Sequence, residues 1–252
     1  MNILLTNDDG YFAKGLQTLL GILEEDPFLS VSVVAPESQK SATGHSITLA
    51  EPLMITEHNL TKGFKGYAVR GNPADCVKLA IQGEIVPKPD LVISGINNGP
   101  NLGTDVFYSG TVSAAMEAVL LGIPSIAVSL AGFDKFDFDD AARFIYDFLK
   151  KQTCSKGLLN INIPPIPSNG WRGIKYAKLG KAVYQNVFEH RVDPRGREYY
   201  WQSGTLAPET DPETDLYAIQ ENFISITPMH SNLTDFDKLK LMNKFERSTA
   251  IK

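Results

Sequence analysis

Residues 90–130 read "DLVISGINNGPNLGTDVFYSGTVSAAMEAVLLGIPSIAVSL", and the parsing of this stretch decides the fold. "DLVISG" from Asp90 is a short apolar run closed by turn residues, which predicts a buried strand. "SAAMEAVLLG" predicts a helix that ends at Gly122, and "SIAVSL" predicts the strand after it. Strand, helix and strand in that order form a parallel pair joined by a crossover helix.

The same order continues in both directions. Upstream, Asn2 to Thr6 reads as a first strand. Lys14 to Glu25 carries Leu16, Leu19, Leu20 and Leu23 at helical spacing, "VSVVAP" from Val31 supplies a second strand, and "ADCVKLAIQGEI" is a helix entered through Pro73. Downstream, "DDAARFIYDFLKK" predicts a helix and "LLNINIP" the strand that closes the sheet. Residues 1–170 therefore read as an α/β core, a Rossmann-like, doubly wound and mostly parallel sheet.

Beyond residue 170 the alternation stops, and Tyr, Trp, Arg and turn residues become frequent. In "RVDPRGREYYW" Asp193, Pro194 and Gly196 sit between strand-like flanks, which predicts a hairpin spanning about residues 184–206. "FISITP" then predicts a late strand and "TDFDKLKLMNKFE" an amphipathic closing helix. Residues 171–252 read as a C-terminal region with a projecting arm. Exposed Tyr and Trp supply contact area at little entropic cost, so the arm is expected to build a homodimer or homotetramer. A hairpin folded onto its own subunit is the alternative.

Composition narrows the function. Hydrophobic residues make up 43% and charged residues 21% of the 252, as in ordinary globular proteins. A net charge of −5 and a pI near 5.4 offer no general basic surface, so neither long nucleic acid nor an anionic membrane is an expected partner. No segment approaches the roughly 18 apolar residues of a membrane span, and no basic, cleavable leader precedes the first strand, so the expected location is cytoplasmic. Cys76 and Cys154 belong to no CxxC or His-rich spacing, which sets aside a cysteine zinc site and predicts two buried small hydrophobes.

In an open α/β sheet the ligand crevice lies beyond the carboxyl ends of the strands. There the first strand delivers Asn7, Asp8, Asp9 and Gly10, the second delivers Glu37, Ser38 and "KSATGHS", and "DLVIS" is followed by "GINNGPNLGTD". Asp8 and Asp9 are two like charges at the mouth of an apolar core, where each raises the other's pKa unless a cation holds them. Carboxylate, hydroxyl and amide oxygens suit a hard cation, Mg²⁺ or Mn²⁺. Capping of the next turn explains one aspartate more readily than two. Ser109, Gly110 and Thr111 open a helix whose free N–H groups suit an anion, although Ser109 also reads as a plain N-cap. A cation facing such a helix start is the equipment of phosphoryl chemistry. GxxxxGK[ST], GxGxxG and GxSxG are all absent, which removes the usual NTPase, dinucleotide-binding and hydrolase-elbow readings.

"ILLTNDDG", "VVAPESQKSATGHSITL", "GNPADCVKLA", "LVISGINNGPNLG", "YSGTVSAAMEA", "LNINIP" and "YYW" followed by "ISITPMH" together resemble the SurE family, in order from residue 1 to about 235. The resemblance implies a metal-dependent phosphatase of nucleoside monophosphates, oligomeric through its C-terminal region. It also implies one divalent cation per subunit held by Asp8, Asp9, Ser41 and Asn97. Asn101, Ser109, Gly110 and Thr111 would then hold the remaining phosphate oxygens, with a water or an aspartate as nucleophile. His230 would donate the leaving-group proton, contact substrate, or be merely structural; His45 fits loop support better than catalysis. One departure stands out: the family's APDxxRS reads "APESQKS" here, so Glu37 keeps the acid and Lys40 the charge but not a bidentate arginine contact. Rival readings are a covalent aspartyl phosphate on Asp8, a receiver-like signalling module, and a binding protein without turnover. A receiver would need an acceptor aspartate where Asn97 and Asn98 stand. No motif reports base preference, 3′-phosphate cleavage or polyphosphate cleavage.

Overall fold

Alternation along Asn2–Thr6 (β1) sends Ile3 and Leu5 to one face of a sheet and Leu4 to the other, and all three are buried. A strand buried on both faces needs helices on both sides, and the chain supplies them. A computed structural model of the chain describes residues 1–60, 65–132, 137–151, 156–165 and 170–248. Lys14–Glu24 (α1) follows, then Ser30–Pro36 (β2), Met54–Asn59 (β3), Lys65–Arg70 (β4), Pro73–Gln82 (α2) and Leu91–Asn98 (β5). A short 3₁₀ turn over Gly103–Phe107 leads into Gly110–Leu120 (α3), Ser125–Leu130 (β6), Asp139–Lys151 (α4) and Leu158–Ile163 (β7). Ile174–Tyr176 (β8), Tyr184–Gln185 (β9), Phe188–Val192 (β10), Glu198–Gln202 (β11), Thr205–Leu206 (β12), Asp215–Gln220 (α5), Ile224–Met229 (β13) and Phe236–Ser248 (α6) complete the series.

Among the described residues nine strands make one sheet in the order β3-β4-β2-β1-β5-β6-β7-β13-β8. The run from β4 to β7 is parallel throughout, which makes the fold the α/β, doubly wound class that the sequence predicts. The leucines of α1 pack with Ala141, Ile145 and Phe148 of α4 on one face, and α2 and α3 pack on the other through Val77, Ala80, Ala114 and Ala118. Fully burying one such aliphatic side chain is worth about 1.5–3 kcal/mol. Among the described residues no helix is long and apolar enough to cross a membrane.

The sheet does not close at β7. β13 pairs antiparallel with it, and β8 pairs parallel with β13, so the late strand is a central member of the main sheet. Its apolar run explains why: Ile224 and Ile226 enter the same core as Ile161 and Ile163. At the other edge, β3 pairs antiparallel with β4 through almost wholly exposed residues. The arm at 184–206 forms as two small antiparallel pairs, β10 with β11 and β12 with β9. Asp193 sets its turn by accepting the N–H groups of Arg195 and Arg197. Cys76 is buried as expected, and Cys154 lies outside the described residues.

Candidate active site

From β1 the chain crosses to β2 on one side, while β5 lies on the other, so a crevice opens between the ends of β1 and β5 where the strand order reverses. Asn7 shapes the turn there. Its Nδ2 donates to the Gly10 carbonyl at 2.9 Å and its Oδ1 accepts the Gly10 N–H at 3.2 Å, which turns both following aspartates into the crevice. The resulting cleft, of about 240 Å³, is lined by Asp8, Asp9, Ser41, Asn97, Asn101 and Ser109 together with Gln39, Ala42, Asn98, Asp105 and Tyr108.

Asp8 is 5% exposed and accepts the Thr111 hydroxyl at 2.5 Å. Burial pushes its carboxyl from 3.8 up to about 6; the Asp9 charge adds to the rise and the Thr111 bond opposes it. Asp9 is also raised, by burial, against a 3.1 Å bond from the Asn98 N–H. Desolvation thus outweighs the mutual repulsion of the pair. Among the described residues neither carboxylate forms an ion pair with Lys, Arg or His.

Gln39 Nε2 donates to Ser41 Oγ at 2.9 Å and approaches Asp9 Oδ1 at 3.5 Å, so two candidate ligand oxygens converge on one donor. Asn97 commits its Nδ2 to the Gly99 carbonyl at 2.9 Å, which fixes the amide and leaves Oδ1 as the acceptor. Two carboxylates, a hydroxyl and an amide oxygen with no balancing positive group fit a hard divalent cation. Among the described residues no group of three or more His, Cys, Asp or Glu could hold a metal, which agrees with a site built on only two carboxylates.

At the facing wall, Ser109 caps α3, its Oγ accepting the Val112 N–H at 3.1 Å. Gly110 follows at a point where only glycine fits. A Cβ there would lie 2.7 Å from Asp8 Cβ and 2.9 Å from its Oδ2. The close approach brings the positive end of the helix against the carboxylate pair. Asn101 is held by distant strands: its N–H donates to Asn162 Oδ1 at 2.8 Å, its Nδ2 to Ser129 Oγ at 2.7 Å, and its carbonyl accepts from Asn160 and Asn162. Periodicity did not mark Asn160, Ser129 or Asn162, because they look like ordinary strand residues until the strands are paired.

Asp215 is another residue that sequence reading missed. Its buried carboxylate accepts the N–H groups of Gly103, Gly180 and Leu216, and so ties the start of the 3₁₀ turn to the C-terminal region. Tyr184, at the root of the arm, donates its hydroxyl to Asp105 on the cleft wall. Lys40 anchors its loop through its backbone, donating to the Asp8 carbonyl at 2.7 Å. His230 does not line the cleft; it lines an adjoining apolar cavity together with His45, whose Nε2 is 2.8 Å from Glu117 Oε2.

The family model for survival protein SurE matches residues 3–186. A 5′-nucleotidase SurE of Desulfitobacterium hafniense is 69% identical over 95% of both chains, and one of Pelotomaculum thermopropionicum is 46% identical over 100% of this chain and 97% of its own. The crystal structure of the SurE protein from Aquifex aeolicus superposes with a TM-score of 0.83 at 38% identity, covering 98% of this chain and 100% of that one. With the paired aspartates, the glycine-started helix and the sheet order all in place along that match, the chain belongs to the SurE family.

Proposed function

We propose that this chain is a phosphomonoesterase that hydrolyses nucleoside 5′-monophosphates with one divalent cation, Mg²⁺ or Mn²⁺, per subunit. The observation that carries the reading is the pair of adjacent carboxylates, Asp8 buried and Asp9 half-buried, without a balancing positive side chain and set against the N-terminus of α3. The relatives' name, 5′-nucleotidase, supports the substrate class. Asp8, Asp9, Ser41 and Asn97 would hold the ion, which when bound neutralises phosphate oxygens and lowers the pKa of a water.

The chain's own groups do the rest. Ser109, Gly110 and Thr111 present the helix start to the phosphate, and Asn101, locked by Asn162 and Ser129, offers its amide to a remaining oxygen. Asp8 and Asp9 are the candidates to accept the proton of the attacking water. His230, which lines the adjoining cavity, is assigned to the leaving group, as proton donor or substrate contact. The arm at 184–206 is assigned to self-association and the protein to the cytoplasm, residues 1–170 forming the catalytic core and 171–252 the oligomerising region.

The test is phosphate release from 5′- and 3′-nucleotides, short polyphosphate and a simple aliphatic ester, after EDTA treatment and again with Mg²⁺ or Mn²⁺ restored. Metal-restored turnover led by the 5′-nucleotides is expected. Tight nucleotide binding without release in any metal would replace this reading with that of a binding protein.

A further inference from the structure

The loop between β2 and β3, residues 37–53, carries Ser41 to the cleft and contains no helix or strand. A connection of that length without regular structure needs fixed ties to keep one of its side chains in place. We propose that Glu117, a buried carboxylate of α3, is the positioning residue for this loop: by holding His45 it sets the Ser41 hydroxyl relative to Asp8, and so the affinity for the divalent cation. The inference rests on the cation reading above and adds to it the group that aims one of the ligands.

The turn that seats Ser41 depends on ties from outside the loop. Within it, Gln39 Nε2 donates to Ser41 Oγ at 2.9 Å and Thr43 Oγ1 to the Lys40 carbonyl at 2.9 Å. Ile47 and Leu49 nevertheless stand 42% and 86% exposed, so little apolar burial pins the segment. Ala42, next to Ser41, has a φ of 56°, a left-handed conformation that a residue with a Cβ keeps only where its surroundings impose it. The imposing contacts flank the turn. Before it, the Lys40 N–H donates to the Asp8 carbonyl at 2.7 Å. After it, the Gly44 N–H donates to the Tyr108 carbonyl at 3.0 Å, and His45 Nε2 lies 2.8 Å from Glu117 Oε2.

Glu117 is the anchor set deepest in the core. It is 6% exposed on a helix whose other buried residues include Val112, Ala114, Ala115 and Ala118, and a carboxylate in such a place is costly unless paired. Lys78 of α2 takes Oε1 at 3.3 Å and His45 takes Oε2, so one side chain binds α3, α2 and the loop together. The same helix holds the aspartate: Thr111, about 9 Å back along the axis, donates to Asp8. Asp8 and Ser41 are thus referred to one rigid body. A hard cation accepts oxygens only within a few tenths of an ångström of its preferred distance, so a loop released from that body loses affinity first.

Calorimetric titration with Mn²⁺ alone tests this without turnover. His45→Ala is expected to weaken Mn²⁺ binding about tenfold or more, with the melting temperature in EDTA unchanged. His45→Gln, whose amide nitrogen stands as many bonds from the backbone as Nε2, should restore most of the affinity. Glu117→Met should weaken binding to the same degree, and the double variant no further than either single one, because the pair acts as one tie. If Glu117→Met does not fold, His45→Ala and its glutamine rescue decide alone. Affinity unmoved in His45→Ala, a loss that comes with a lower melting temperature, a loss that glutamine does not recover, or losses that add in the double variant each overturn the assignment, even where phosphate is released. A wild type that binds Mn²⁺ but hydrolyses no ester rejects the phosphomonoesterase reading, and the recoverable loss in His45→Ala then still upholds the tie. A wild type that takes up no Mn²⁺ overturns both.

Discussion

The cleft and the arm at 188–202 are both dense in polar side chains, yet they are built in opposite ways. The paired carboxylates of the cleft and its buried asparagine are held by something far away in sequence: Thr111 binds Asp8 across 103 residues, Asn98 binds Asp9 across 89, and Asn162 binds Asn101 across 61. The arm is held by itself. Its bonds join Asp193 to Arg195 and Arg197, Arg191 to Glu189, or one hairpin strand to the other, and Phe188, Tyr200 and Trp201 stand about 60% exposed. Distant anchoring fixes geometry for chemistry, and local anchoring leaves a surface free to meet another.

The sharpest break would come from Asp8→Asn. Loss of a carboxylate proposed to hold the cation should lower metal-restored turnover by on the order of 10²–10³-fold. The metal-free protein should melt no lower than the wild type, since the substitution removes a buried charge that has no ion-pair partner and keeps an oxygen for the Thr111 hydroxyl. A melt in EDTA that drops sharply would show Asp8 to be structural.

Gly110→Ala should strike both fold and chemistry, because a Cβ at 2.7 Å from Asp8 Cβ forces the helix start away. Overpacking of this kind costs about 1–3 kcal/mol. Urea unfolding would read that loss, and a tenfold or larger fall in turnover should accompany it. Asn162→Ala should cost about 1–3 kcal/mol by stranding the Asn101 N–H, and should reduce kcat more than it raises KM. An unchanged kcat would separate Asn101 from the phosphate.

A subtler effect is pH dependence in the metal-free protein. The folded Asp8 titrates near 6 and the unfolded one near 3.8, so the folded state binds the proton more tightly. The contribution is full below the unfolded value and is lost as pH rises through 6, roughly 1 kcal/mol of it between pH 5 and 7. Melting temperatures in EDTA should fall over that window, and Asp8→Asn should flatten the fall. The smallest effect on the single chain belongs to Trp201→Ala, within about 0.5 kcal/mol for an exposed side chain. Light scattering should nevertheless show a weaker assembly; an unchanged mass with wild-type affinity would free the arm from that role.

The same contrast explains what could be read from the chain. Strands such as Leu91–Asn98 and helices such as Lys14–Glu24 announce themselves because their residues bury locally periodic faces. The polar residues of the cleft were legible as strand-end residues, since the topology of a parallel sheet gathers strand ends along one edge. Met54–Asn59 was not legible, for its residues are nearly all exposed and carry no apolar alternation. Insertion of Ile224–Met229 between β7 and β8 was not legible either, because pairing is a relation between segments and leaves no mark within one. Asp215 lies 112 residues from the Gly103 amide it accepts, and no local pattern reports such a bond.

That last carboxylate also sets an order of assembly. Gly103 and Gly180 share Asp215, and β8 reaches the main sheet only through β13, which ends at Met229. A chain emerging from the ribosome, N-terminus first, can lay down the strands that carry both aspartates long before the wall opposite them has its tether. The wall opposite the two aspartates is therefore completed late in the life of each polypeptide, after the strands up to Met229 have been synthesised.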